Sequence, residues 1–88
     1  MVTIHNSPRF TRAYKKLPPH IQDDFDVAIG LFIENPRHPS LKTHRLKGKF
    51  QDCFAFRLRD GYRVLFDYGT SNSVDLLDVG PHDMYQER

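Results

Sequence analysis

The spacing of apolar positions changes along the chain, and each change predicts an element. Val2 and Ile4 alternate with Thr3 and His5, the period of a short strand. Ser7-Pro8 then predicts a helix start, since Ser can cap free backbone N–H groups and Pro loses nothing at the first helical position. Phe10, Tyr14 and Leu17 recur at helical spacing until Pro18-Pro19 stops the run. Ile21, Phe25, Ala28, Ile29 and Phe32 form one stripe of a second helix. Asp23, Asp24 and Asp26 crowd its first turns, where the helix dipole favours negative charge, and Asn35-Pro36 ends it. Arg37 to Gln51, rich in Pro, Lys, His and Gly, reads as a surface linker too polar to be buried.

Beyond the linker the period falls to two. Phe54, Phe56 and Leu58 alternate with Cys53, Ala55, Arg57 and Arg59, and Tyr62, Val64 and Phe66 with Arg63, Leu65 and Asp67. Ser73 to Val79 is a last, more uniformly apolar strand, after a turn over Gly69 to Asn72. A two-residue loop at Asp60-Gly61 would set Arg59 opposite Tyr62; a three-residue loop sets Leu58 opposite Tyr62. Only the longer loop, with Gly61 left-handed, puts Phe54, Phe56, Leu58, Tyr62, Val64 and Phe66 on one face, and register follows the buried face. Arg57 and Arg63 then stand side by side on the other face. Like charges in that arrangement destabilise a sheet, so an anion between them is the natural explanation.

The order of elements predicts a single α+β domain over residues 1–88. Its N-terminal strand and helical hairpin pack on a mostly antiparallel four-stranded sheet. Composition supports a globular chain: 39% of residues are hydrophobic, and seven Phe and four Tyr can fill a small core. The one cysteine, Cys53, reads as a small core residue; it allows no internal disulfide and no Cys pair for zinc. No apolar run approaches the ~20 residues of a membrane span, and Met1 to Phe10 lacks a signal-peptide stretch, so a cytosolic protein without a membrane partner is expected.

Charge changes the picture more than composition does. Arg37 to Arg63 holds eight Lys or Arg against two Asp, a charge of +6, while the remainder holds five bases and nine acids, −4, within a net +2. A basic middle between acidic flanks suggests a face made for an anion, although a solvated basic surface has the same composition. The candidates for chemistry lie in the C-terminal half: His44, Lys47, Lys49, Arg57, Arg59, Arg63, His82 and Tyr85. Cleaving RNA without a metal needs a base for the 2′-OH, cations for the phosphorane charge and an acid for the leaving oxygen. Arg forks, titrating His and a stacking Tyr supply those parts. Read from residues alone, His82 beside Asp83 could equally cap a turn, Tyr85 could cover the sheet, and Arg59 and His44 could be solvated. His5, His20 and His38 read as surface residues, and no metal spacing or phosphate-binding glycine loop is present.

Four segments together resemble the RelE/ParE superfamily of toxins from type II toxin–antitoxin systems. They are Leu46-Lys47-Gly48, Cys53 to Arg59, Gly61 to Phe66, and Asp78-Val79-Gly80-Pro81-His82-Asp83-Met84-Tyr85. The opening strand and helix pair are similar too, so the resemblance covers nearly the whole chain. It implies a ribosome-dependent endoribonuclease that needs no cofactor and cuts mRNA in the ribosomal A site by 2′-OH attack. By this resemblance Arg57, Arg63, His82 and Tyr85 are catalytic and His44 lies at the site; with Lys47, Lys49 and Arg59, His44 is expected to bind substrate. Arg63 matches the phosphate-binding Arg after Tyr, and His82 matches the basic acid/base position of YafQ-like and YoeB-like members. His44 matches a His of the YafQ-like branch. Ala55 departs from the pattern, standing where RelE carries Lys. The resemblance also implies a cognate antitoxin and a hetero-oligomer with it. Two alternatives share the fold: a ParE-like DNA gyrase inhibitor, and a non-catalytic module that binds nucleic acid or antitoxin.

Overall fold

The computed structural model describes residues 2–46, 53–69 and 72–81. Strand β1 (Thr3–Asn6) leads into helices α1 (Pro8–Lys15) and α2 (Pro19–Glu34), a short 3-10 turn (Pro39–Leu41), and strand β2 (His44–Arg45). Strand β3 (Phe54–Arg57), a second 3-10 turn (Arg59–Gly61), β4 (Tyr62–Tyr68) and β5 (Ser73–Pro81) follow. The sheet has five strands in the order β1-β5-β4-β3-β2, with β1 parallel to β5 and the other pairs antiparallel.

The fifth strand corrects the expected four and comes from the expected linker. His44 pairs with Ala55 and Arg45 with Phe54. Two exposed polar residues are too short a run to show a period, so pairing with β3 decides their structure. Nor is that segment wholly polar and superficial: Leu41 is 1% exposed and Leu46 7%. Each is an isolated apolar residue among polar neighbours, invisible to periodicity but long enough to reach a core.

Ser7 caps α1 as expected, its Oγ accepting from the Phe10 N–H at 3.0 Å. The same hydroxyl donates to the Leu77 carbonyl at 3.2 Å, tying the helix start to β5. Helix α2 begins at Pro19, earlier than its apolar stripe, so no acidic residue lies in its first turn. The acids serve instead as side-chain acceptors. Asp26 Oδ1 accepts from the Tyr14 hydroxyl at 3.0 Å, and Asp24 Oδ2 from the Arg59 N–H at 2.9 Å.

Burial, the hydrogen bond to Asp26 and the nearby carboxylates of Asp26 and Asp23 raise the Tyr14 pKa above its ordinary value. A raised folded-state pKa contributes stability that is complete below the unfolded tyrosine pKa and is lost as pH rises through the folded one. Tyr14→Phe is therefore expected to cost about 0.5–1 kcal/mol near neutrality. That difference should shrink to nothing in alkaline denaturation series above the usual tyrosine range. A pH-independent difference would show that packing, not the hydroxyl, is responsible.

The helices cover one face of the sheet. Phe10, Ile21, Phe25 and Phe32 meet Phe56, Leu58, Val64, Phe66, Val74, Leu76 and Val79 in the main core, with Phe54 and Tyr62 packed at its margin. Phe32 stacks on Phe56 at 5.1 Å between ring centroids and meets Phe66 edge-on at 4.9 Å. The sheet's other face carries a smaller cluster of Leu46, Ala55 and Leu65, with Cys53 and Leu77 packed against it. Cys53 is thus half-buried at the edge of this second cluster.

Strand β5 explains its own apolar sequence through a bulge. Leu65 pairs with Asp78 but Phe66 pairs with Leu76, so Leu77 is an extra residue between them. Leu76 therefore joins the helical core, Leu77 packs on the other face, and Val79 returns to the core. An unbulged strand would turn Val79 away from it.

Candidate nucleic-acid interface

The β3–β4 hairpin positions the cationic pair. Arg57 is directly opposite Arg63, and the Leu58 N–H donates to the Tyr62 carbonyl at 2.8 Å, so the loop spans Arg59, Asp60 and Gly61 as the buried face required. Gly61 is left-handed at φ 78°, and Asp60 joins it at φ 59°, a conformation its short polar side chain tolerates better than most. The turn is clamped to α2 from two sides. Asp24 holds the Arg59 N–H, and His20 Nε2 lies 3.0 Å from Asp60 Oδ2. Arg59's side chain projects from this clamped turn and is exposed.

Directly opposed residues have Cβ atoms about 4.5–5.5 Å apart, so the two guanidinium groups can reach one phosphate together. Arg57 is exposed; Arg63 is half-buried, with its Nη1 buried. On the other flank Arg63 pairs with Gly80, which places no side chain beside it. The neighbouring floor is Leu46, Ala55, Leu65 and Leu77. Charge beside apolar surface is less screened than charge in open water, which strengthens its attraction for an anion.

His44 belongs to this face. It stands opposite Ala55, one alternation along β3 from Arg57, so it lies diagonally from Arg57 at roughly 7–8 Å between Cα atoms, with Arg63 one strand farther away. Its Nδ1 lies 3.4 Å from the Lys42 carbonyl oxygen. A carbonyl only accepts, so in this contact Nδ1 is the donor.

The other expected site residues divide cleanly. Lys47, Lys49, His82 and Tyr85 lie outside the described residues. Pro81, which precedes His82, is the last residue of β5 and pairs with Tyr62 beside Arg63, at the cationic end of the sheet. His5 and His20 are exposed as expected, whereas His38 is half-buried and its Nδ1 accepts from the Ser40 N–H at 3.1 Å, capping the first 3-10 turn. Among the described residues no group of three or more His, Cys, Asp or Glu is placed to hold a metal ion, and no helix is long and apolar enough to cross a membrane.

Sequence reasoning missed a second basic surface. Arg37, His38, Lys42, His44 and Arg45 line a groove of about 510 Å³ together with Phe54 and Tyr68. Its signal was divided between the supposed linker and the end of β4, so only the pairing of β2 with β3 assembles it.

A helix pair on one face of a mixed five-stranded sheet is also the architecture of solved RelE-like toxins. The chain matches the family model for the ParE-like toxin of type II bacterial toxin–antitoxin systems over residues 4–88, and it belongs to that family. No curated protein sequence is a significant match. Among solved structures it is similar to YafQ from E. coli strain BL21(DE3), at 14% identity and a TM-score of 0.75, covering 92% of this chain and 93% of that one. The isolated E. coli RelE toxin is 20% identical with a TM-score of 0.74, over 98% and 89% of the two chains. The RelBE2 toxin–antitoxin complex of Mycobacterium tuberculosis is 25% identical with a TM-score of 0.65, over 91% and 96%.

Proposed function

We propose that this toxin is a ribosome-dependent endoribonuclease that cleaves mRNA without a metal ion. The observation that carries the reading is the Arg57–Arg63 pair, two like charges set directly opposite each other beside an apolar floor and a glycine. A sheet gains nothing from that pairing unless an anion joins it.

In the proposed reaction a base removes the proton of the 2′-OH, and the 2′ oxygen bonds to the adjacent phosphorus. The bond to the 5′ oxygen breaks, an acid protonates that oxygen, and the products are a 2′,3′-cyclic phosphate and a free 5′-OH. Arg57 and Arg63 hold the non-bridging oxygens as charge builds on them. His82 supplies acid or base chemistry and Tyr85 stacks the exposed base. His44 brings a second imidazole to the same face. It also puts a titratable group directly across from Ala55, the position where RelE carries Lys. Lys47, Lys49 and Arg59 add phosphate contacts.

The partner that silences the toxin is a cognate antitoxin, in a hetero-oligomer like the RelBE complexes the fold resembles. The toxin is proposed to act in the cytoplasm, where ribosomes and their transcripts are.

The ParE-like description of the matching family supports a second reading, inhibition of DNA gyrase without RNA chemistry. Inducing the chain alone, beside the His82→Ala/Arg63→Ala double variant, separates the two. Arrested growth with transcripts cut inside coding regions, both reversed in the variant, is the expected result. Arrested growth with intact transcripts and DNA double-strand breaks would replace it with the gyrase reading.

A further inference from the structure

We infer that the groove on the opposite edge of the hairpin is a second RNA subsite, in which one nucleotide stacks on Tyr68 while Arg37, Lys42 and Arg45 hold the adjoining phosphates. The inference deepens the ribonuclease reading and rests on it. Among the described residues, the groove's ionisable lining consists of Arg37, Lys42, Arg45, His38, His44 and Tyr68, with no carboxylate among them. The apolar part of its described lining is chiefly flat, with rings contributed by Phe54, Tyr68 and Pro39.

Tyr68 is 43% exposed, one of two exposed large hydrophobic residues among those described. It is also braced, in T-shaped contact with Phe54 at 5.0 Å and Phe66 at 5.5 Å. A rigid aromatic ring among cations is the usual platform for an unpaired base. Arg45 already stands over the Phe54 ring, its Cζ 5.9 Å from the centroid. A second cavity of about 380 Å³ shares Arg37 and Tyr68 with the first, so the ring stands between two adjoining spaces.

The backbone at Lys42 is consistent with a placed cation. Lys42 adopts a left-handed conformation, φ 53° and ψ 40°, which glycine would adopt at less cost. The groove also connects with the proposed cleavage face. His44 lies on that face and lines the groove, and β2, between them, is an edge strand of only two residues. Arg63 and Tyr68 lie five residues apart on β4, roughly 17 Å at ~3.4 Å per residue, and on opposite faces of the sheet, so an RNA strand that occupies both places passes round the two-residue edge strand β2.

The test uses the full chain and a fluorescein-labelled hexamer of 2′-O-methyluridine, which binds but cannot be cut. Fluorescence anisotropy compares wild type with Tyr68→Leu and with Arg37→Glu/Lys42→Glu. Tyr68→Leu keeps apolar bulk against Phe54 and Phe66; the charge variant alters exposed residues and leaves the core alone. Each is expected to weaken binding roughly tenfold, with a shallower salt dependence for the charge variant. If both bind as wild type does while Arg63→Ala loses the hexamer, the groove is overturned and the ribonuclease reading stands. If both lose the hexamer but Arg63→Ala leaves transcript cleavage untouched, the groove holds RNA and the proposed cleavage face is wrong. If both retain the hexamer and lose the cognate antitoxin, the occupant is the antitoxin and the RNA assignment fails.

Discussion

Arg63→Ala is expected to lower mRNA cleavage about 10²–10³-fold, the usual cost of removing one preorganised donor from a developing oxyanion. The substitution removes a half-buried guanidinium beside Gly80 and takes nothing from the helical core. Its partner gives a sharper result. Arg57→Thr should lose cleavage to a similar degree and yet fold more stably, by roughly 0.2–1 kcal/mol, because it removes a directly opposed like charge and places a β-branched residue in a strand. The measurements are thermal denaturation of each variant and cleavage of a translated message mapped by primer extension. A fully active Arg57→Thr chain would remove the paired arginines from the mechanism. A less stable one would mean that Arg57 is a structural residue.

The second large effect is on the fold. Phe32 is 0% exposed and lies where α2 meets both strands of the hairpin, against Phe56 and Phe66. Phe32→Ala leaves a cavity among rings that cannot collapse to fill it, at a cost of about 3–5 kcal/mol. Domains of this size hold only about 5–15 kcal/mol in total. The thermal midpoint should therefore fall by more than about 12 °C, with the urea midpoint lowered and its slope unchanged. Toxicity should fall along with the folded fraction, and Phe32→Leu should recover most of both. A loss below about 1 kcal/mol would mean that the helix and sheet repack without this ring, contrary to the close centroid spacing.

Much of this molecule was legible in its residues, because the relevant physics is local or periodic. Ser7-Pro8 and Pro18-Pro19 punctuate the helices through caps and missing donors. The alternation from Phe54 to Phe66 admits one loop length at Arg59-Asp60-Gly61, and that loop alone sets Arg57 against Arg63. The family resemblance, resting on short segments in the right order, was legible for the same reason, and the fold bears it out.

Other features depended on partners distant in sequence. No pattern in His44-Arg45 announces a strand, because two residues carry no period; β3 supplies the hydrogen bonds that make one. Asp24 and Asp26 look like helix-dipole acids until the turn at Arg59 and the Tyr14 hydroxyl are brought to them. Leu77 breaks the alternation of β5 because a bulge gives one strand two faces to fill. The groove around Tyr68 exists only once β2, β3 and β4 lie side by side. The sequence by itself determined both helices, the strands other than β2, the buried face and the arginine register, through spacing and turn chemistry. Tertiary structure alone decided which distant side chains meet, because those meetings follow from packing and strand pairing, and neither has a period that a linear chain can display.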